Sequence, residues 1–570
     1  MGVLGEGLSR YQQQGLCSFH TPGHKGRPEF FYGLEFPSFD LTELPGLDML
    51  HSPSGIIAEA QKRSAEIFGA EETFFLINGG TAGNQAMLMT LEDCADKRIV
   101  VERSSHRSVI SALVLSGLRP SYLRPTVHPD FNLPLGFEIQ KQQIPWQDIS
   151  ACHVTYPSYY GSAFELHYLI EQRCSLGVKT PILVDQAHGS HYLNQLFPPS
   201  ALKLGADLVL NSAHKTLSAL TQAALLHVQG PRISRLRLRQ SLDLLQSSSP
   251  SYLLLASLER AGEYALDFRR WECLREEVDN LYRKVGDRFR ILSQEDAGTY
   301  GIHMVDWSKI LINTSALGIP APRCVEYLRK GFGIEPELWD NENILFVLGI
   351  GNTPEDIQKL TKGLESFARL AMTGDITALK VNEEVTLPFP KQVLSPREAF
   401  YSRKRQIPLK DSLGEIVGET ISPYPPGVPV IIMGEQMNQE VLSKLLTAGE
   451  GRWQGWEGFA GQSIWIVDGE GVKQTIYEPA VSAFGASGPR RQAGALLIIS
   501  WRRCPASARG CYTLKPDIKL LSSYAVWTMP RMFIMPKDSQ WQSSGSLMAE
   551  AAKNEHRDRA DPWLARKAVS

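Results

Sequence analysis

Two stretches decide the fold: Pro181-Ile-Leu-Val-Asp-Gln-Ala-His188 and Ala206-Asp-Leu-Val-Leu-Asn-Ser-Ala-His-Lys-Thr216. Each is an apolar run of strand length that leads into a charged residue, Asp185 in the first and Lys215 in the second. Short apolar runs bounded by turn residues suit the interior strands of a parallel sheet, where both faces are covered. Open α/β sheets bind ligands beyond the carboxyl ends of their strands, so Asp185 and Lys215 are expected to face one crevice.

An aldehyde cofactor such as pyridoxal phosphate needs two groups there: an amine to condense with the aldehyde and a carboxylate to keep the pyridine nitrogen protonated. Lys215 and Asp185 are that pair. Taken singly, Lys215 reads as an ordinary strand-end lysine and Asp185 as a helix cap. The surrounding text argues otherwise. Val184-Asp-Gln-Ala-His-Gly-Ser-His191 followed by Asn211-Ser-Ala-His-Lys-Thr-Leu217 resembles the aspartate-aminotransferase superfamily, fold type I of the pyridoxal-phosphate enzymes. Within it, the Ala-His-Lys-Thr form is similar to the bacterial ornithine/lysine/arginine decarboxylases.

Composition is compatible. The 570 residues are 43% hydrophobic and 21% charged, ordinary for a globular chain of several domains. A net charge of -2 and the lack of a basic block with interleaved aromatics give no case for nucleic acid or an anionic membrane. The eight cysteines lack a Cys-x-x-Cys pair, so neither a disulfide framework nor a zinc site is expected, and a cytoplasmic location fits. No apolar run reaches the ~20 residues that span a bilayer.

Along the chain, Ser18-Phe-His-Thr-Pro-Gly-His-Lys-Gly26 reads as an irregular arm. His20 and His24 have the spacing of two metal ligands on a helix, but Pro22-Gly23 argues against a helix, so no metal is expected. The phrase resembles the decarboxylases' Phe-His-x-Pro-Gly-His-Lys signature. Asp40 to Asp48, leading to His51-Ser-Pro-Ser-Gly55, is also similar, although Met49 stands where the family more often has an acidic residue. Ile56 to Phe68 is expected to be a helix. Glu72 to Asn78 reads as a strand running into Gly79-Gly-Thr-Ala-Gly-Asn84, with a helix from Gln85. A strand, a glycine turn and a helix start suit an anion. The turn has neither a P-loop ending nor Gly-x-Gly-x-x-Gly, so a nucleotide is not expected. The resemblance assigns Thr81 and Ala82 to the cofactor phosphate.

The strand Ile99 to Val101 ends at Glu102-Arg-Ser-Ser-His-Arg-Ser108. By itself His106 reads as a helix-start residue; the resemblance makes it the histidine that stacks on the pyridine ring. Ala151 to Thr155 is a further strand before Tyr156-Pro-Ser-Tyr-Tyr-Gly161, which looks like a family loop beside the cofactor. His188 and His191 flank a Gly-Ser loop with no third ligand nearby in sequence; the resemblance puts His188 near the cofactor, with Ser212 and His214. Ser247-Ser-Ser-Pro-Ser-Tyr252 reads as a helix cap. In relatives the equivalent segment reaches the neighbour's phosphate, which implies Ser248 and Ser249 acting in trans in a homodimer or higher homo-oligomer.

From about residue 301 the order becomes strand (302–314), helix (320–331), strand (344–348), helix (354–370), a small α+β domain. Ile421-Ser-Pro-Tyr-Pro-Pro-Gly-Val-Pro-Val430 and Gly434-Glu435 resemble the family's C-terminal domain, with Met433 in place of a proline. The expected architecture is thus an arm and large cofactor domain over 1–300, a small domain over 301–385, a C-terminal domain over 386–449, and a tail over 450–570 without legible chemistry. The resemblance runs from about residue 16 to 446. It implies decarboxylation of a basic L-amino acid, arginine or lysine first and ornithine behind, to an amine that feeds polyamine pools. Lys215, His106, Asp185 and His188 are the expected catalytic residues, and Glu43, Asp48 and Glu337 the candidates for the substrate's distal cation. An aminotransferase or aldolase would share Lys215 and Asp185; the His20 to Gly26 arm and the Pro-Tyr-Pro-Pro-Gly segment argue for a decarboxylase. A non-catalytic regulator would not need both His106 and Lys215.

Overall fold

A computed structural model describes residues 14–19, 23, 25, 27, 47–91, 97–372, 388–423, 427–447, 453–459 and 462–469. Seven strands build the main sheet: β1 (Glu72–Leu76), β2 (Arg98–Glu102), β3 (Arg119–Leu123), β4 (Ala151–Thr155), β5 (Ile182–Asp185), β6 (Leu208–Asn211) and β7 (Ala224–Val228). Their spatial order is β1-β7-β6-β5-β4-β2-β3. The run from β6 to β3 is parallel throughout, and β7 is antiparallel to both its neighbours.

Successive side chains on a strand point to opposite faces. Val100, Val154, Val184, Val209 and Leu225 enter one core, while Ile99, Val101, Leu183, Leu208, Leu210 and Leu226 enter another on the far side. With apolar cover on both faces, the strands read as unbroken hydrophobic runs instead of alternating ones.

Helix α1 (Ile56–Phe68) has the expected bounds. Its buried residues, Ile57, Ala60, Gln61, Ser64, Ala65 and Phe68, recur at helical spacing, and Gly69 ends it in the left-handed conformation at φ 73°. Helix α2 (Gly79–Met89) departs from expectation by starting six residues before Gln85. Gly79, at φ 77°, turns the chain straight from β1 into the helix. The next glycines permit close packing on the sheet. A Cβ on Gly80 would lie 2.8 Å from Ser212 Oγ, and one on Gly83 only 2.4 Å from Leu210 Cδ1. These glycines thus begin a helix that Cβ-bearing residues would hold away from β6. Helices α3 (Arg107–Ser116) and α4 (Ala213–Thr216) follow β2 and β6 directly.

Strands β8 (Arg290–Ile291), β9 (Lys309–Asn313), β10 (Leu338–Trp339) and β11 (Asn343–Val347) form a second sheet in the order β8-β9-β11-β10. Helices α5 (Ala321–Phe332) and α6 (Pro354–Met372) accompany it. The single strand expected over 302–314 is two, Met304–Val305 and β9, because the Asp306 carboxylate accepts the Ser308 N–H at 2.9 Å and turns the chain between them. Cys17–Phe19 of the arm pairs in parallel with Ile334–Pro336.

In the C-terminal part, β12 (Lys404–Pro408) pairs antiparallel with β13 (Ser463–Val467) around Leu409, Val417, Ile431, Val441, Trp456, Ile464 and Ile466. The expected boundary at residue 449 falls between these two paired strands. No described helix is long and apolar enough to cross a membrane. Glu550 to Arg566, noted for its charge, lies outside the described residues.

Candidate active site

A cavity of about 360 Å³ opens at the carboxyl ends of β2, β4, β5 and β6. Its walls include Gly80 and Thr81 from α2, Glu102 from the end of β2, His106 at the start of α3, Asp185 from the end of β5, and Ser212, His214 and Lys215 around α4. His188 and Tyr159 complete one side, and Gly427 and Val428 reach it from the C-terminal part.

Asp185 is buried and held from two directions. Its Oδ2 accepts the Asn84 amide at 2.8 Å and its Oδ1 accepts the Ala187 N–H at 3.0 Å. Asn84 is fixed in turn, donating to Ser108 Oγ at 2.9 Å and placing its Oδ1 3.3 Å from His153 Nε2. Burial lowers His153 to about 4, so this histidine is neutral near pH 7.

Lys215 Nζ lies 2.8 Å from His188 Nε2. Burial lowers the lysine pKa below its usual value, against the upward pull of Asp185 and Glu337. Burial and then the Lys215 charge push His188 well below the usual histidine value. His188 is therefore neutral near pH 7 and shares one hydrogen bond with Lys215 through Nε2, while its Nδ1 is a buried nitrogen with no hydrogen-bond partner among the described residues. Beneath it, Lys309 Nζ donates to the His188 carbonyl at 3.3 Å and pairs with Asp306 at 3.4 Å, and Asp306 lies 3.2 Å from His191 Nε2. These groups are fully buried, so the His188 loop rests on an ionic network rather than on solvent.

His106 caps α3: its Nδ1 accepts the Ser108 N–H at 3.2 Å and lies 2.8 Å from Ser108 Oγ, which sets the ring's orientation. His106 keeps a solvent-facing edge, but desolvation by the atoms packed around its ring, and then the Lys215 charge, lowers its pKa to about 4. Thr81 lines the cavity, whereas Ala82 is buried in the first turn of α2 and does not. His214 Nδ1 lies 3.1 Å from the Ala223 carbonyl. Ser248 and Ser249 are exposed and do not line the cavity.

Of the three candidates for a distal cation, Glu43 lies outside the described residues. Asp48 caps α1, accepting backbone N–H groups of Met49, Ser54, Gly55, Ile57 and Ala58, and these bonds hold it down at about 2 against the opposing effect of desolvation. Glu337 accepts the Tyr159 hydroxyl at 2.7 Å. His20 and His24 of the arm are also outside the described residues; Gly23 is inside them, and a Cβ there would lie 2.2 Å from the Leu217 carbonyl oxygen. Gly23 thus abuts the Lys215 turn.

Sequence reasoning missed Asn84 and Glu102 as parts of this site, and His153 behind Asn84. Asn84 stands in the quoted glycine turn, and only the helix that the structure starts at Gly79 turns its amide toward Asp185 and Ser108. Glu102 closes an apolar strand, and burial raises its carboxyl to about 7 although Ser104 and the Thr155 N–H donate to it.

Residues 4–284 match the family described as Orn/Lys/Arg decarboxylase, major domain, and residues 379–463 match its C-terminal domain. An arginine decarboxylase of Bacillus subtilis is 34% identical over 455 residues, covering 77% of this chain and 91% of that protein. An inducible lysine decarboxylase of Escherichia coli is 25% identical over 548 residues, covering 77% and 75%. The solved structure of a Francisella novicida lysine decarboxylase superposes with a TM-score of 0.63 at 20% identity over 79% of each chain, which shows the shared fold. Two family matches in chain order, and a third of the residues shared with a relative across nearly its whole length, carry one conclusion: this chain belongs to the Orn/Lys/Arg decarboxylase family.

Proposed function

We propose that the protein decarboxylates a basic L-amino acid with pyridoxal phosphate, releasing carbon dioxide and the corresponding amine. The observation that carries this is the meeting of Lys215 and Asp185 in one cavity, in a chain of this family. Among basic substrates, arginine is favoured by the 34% identical relative's name, with lysine and ornithine behind it.

The donor set fits the cofactor. An amine whose charge burial disfavours, a carboxylate locked by two donors, and a helix start walled by Ser212 line one space, and the buried Nδ1 of His188 has no hydrogen-bond partner among the described residues. Bound pyridoxal phosphate supplies an electron sink for the pair left when the carboxylate departs. Lys215 would hold it covalently until substrate arrives. Asp185, unable to swing because Asn84 and Ala187 fix both oxygens, would keep the pyridine nitrogen protonated. His106 would cover one ring face, and the α2 start would take the phosphate at Thr81, with Ser212 and His214, any part for the buried Ala82 being through its backbone N–H. Lys215, in contact with neutral His188, would return the proton to the α-carbon; the 2.8 Å contact lets the pair share it.

The exposed Ser248 and Ser249 are assigned to a neighbouring subunit's phosphate, so that a homodimer is the working unit. The division into a cofactor domain over 1–300, a small domain over 301–385 and a C-terminal unit is retained, with the pairing of β12 and β13 supporting an extension of the last to about residue 468. The scattered cysteines agree with a cytoplasmic site of action. Incubating the purified, cofactor-loaded protein with arginine, lysine and ornithine tests the reaction: carbon dioxide and amine in equal amounts are expected. A keto acid product, or no release from any of the three, would overturn it.

A further inference from the structure

Two motif residues that the proposed chemistry leaves idle meet in the interior. Arg103 follows Glu102 in the segment that ends at His106, and Glu435 closes the Gly-Glu phrase of the C-terminal part. Their side chains are 4% and 1% exposed, and Arg103 lies 3.0 Å from Glu435 Oε2. The guanidinium also donates to the Pro429 carbonyl at 2.9 Å and the Val430 carbonyl at 3.4 Å, while Glu435 Oε2 accepts the Ile432 N–H at 2.7 Å. Every one of these bonds grips the stretch just after Gly427 and Val428, the two residues that line the reaction cavity. A buried ion pair contributes little net stability compared with apolar packing, but it enforces one arrangement, since breaking it leaves an uncompensated charge.

We infer that Arg103 and Glu435 are positioning residues that seat the Gly427–Val428 segment as a wall of the substrate chamber, so that the C-terminal part of the chain sets how long a substrate side chain the site accepts. Asp185 ends β5 and Lys215 lies in α4 directly after β6, so this pair is placed without that wall. The wall therefore governs substrate length and KM, not cofactor capture. This rests on the cavity being the substrate site proposed above.

The test uses the full chain loaded with pyridoxal phosphate. In Glu435→Gln, hydrogen exchange of the amides over 427–433 should accelerate at least tenfold while those of Ile182 to Val184 stay as in the parent; unchanged exchange over 427–433 overturns the clamp. In Val428→Phe, the ratio of kcat/KM for arginine to that for ornithine should fall at least fivefold through KM, with cofactor affinity within twofold of the parent. An unchanged ratio, or a loss of cofactor affinity that parallels the loss of turnover, overturns the wall. Should Glu435→Gln not fold, Val428→Phe decides. A parent that releases no carbon dioxide from any basic amino acid refutes the proposed function, and the exchange measurement still judges the clamp.

Discussion

Replacing Asp185 by alanine separates chemistry from structure most sharply. The carboxylate is 3% exposed and takes one hydrogen bond on each oxygen, from Asn84 and from the Ala187 N–H. Removing it leaves Asn84 with Ser108 Oγ as an alternative acceptor, while the Ala187 N–H loses its partner. An unsatisfied buried donor costs about 1–3 kcal/mol, and removing a desolvated charge offsets part of this, so the variant should fold. The chemical loss is larger in rate terms. If the carboxylate raises the pyridine nitrogen by two pKa units, its removal withdraws about 3 kcal/mol from the transition state, at least ~100-fold in rate. Cofactor attachment to Lys215 should survive, because Asp185 acts at the opposite end of the ring. The Lys215 pKa of the unloaded protein should fall further, since Asp185 is the first of the groups that pull it up. The assay is the decarboxylation rate per cofactor-loaded site, with loading read from the absorbance band. A rate within a few-fold of the parent would refute the role given to Asp185 and with it the reading of β5.

Borohydride reduction of the loaded protein should fix the cofactor on Lys215 by mass spectrometry; an adduct on Lys203 or on the buried Lys309 would refute the assignment. In the unloaded protein the Lys215 pKa lies below the usual 10.5, so between the two values the unfolded chain binds more protons and stability rises with pH. Lys215→Met should therefore be more stable than the parent near pH 7, with the advantage shrinking toward about pH 10; urea titrations in which it grows with pH would reverse the sign argued here. Mixing inactive Lys215→Ala subunits with inactive Ser248→Ala/Ser249→Ala subunits should restore part of the activity, and exchange of subunits without recovery would rule out action in trans. Truncation after Gly469 should keep cofactor and catalysis, whereas truncation at Gly449 removes β13 with the fully buried Ile464 and Ile466, worth ~1.5–3 kcal/mol each. Equal thermal stability of the two truncations would show that β13 does not hold the C-terminal unit together.

Five of the seven main strands, α1, the small sheet's helices and the placing of Lys215 and Asp185 at strand ends were legible in the chain, because each depends on local periodicity or on a residue at a strand end, whereas β3 and β7 were not read. The start of α2 was not. Glycines ordinarily signal a turn, and only the closeness of Ser212 and Leu210 explains why they begin a helix here. The distal-cation candidates illustrate the same limit. Asp48 and Glu337 look equivalent in sequence, yet one caps α1 with five backbone N–H groups and the other holds Tyr159.

What the amino-acid order determined alone was the type of fold and the two strand-end residues, Asp185 and Lys215, that line one cavity, since strand ends and motif spacing are properties of neighbours along the chain. Tertiary structure alone decided that Asn84 locks Asp185, that His188 rests on the Asp306–Lys309 network, and that Arg103 reaches Glu435 across more than 300 residues. Those contacts join groups whose polarity makes sense only once burial has removed water from around them, and burial is a property of the packed molecule.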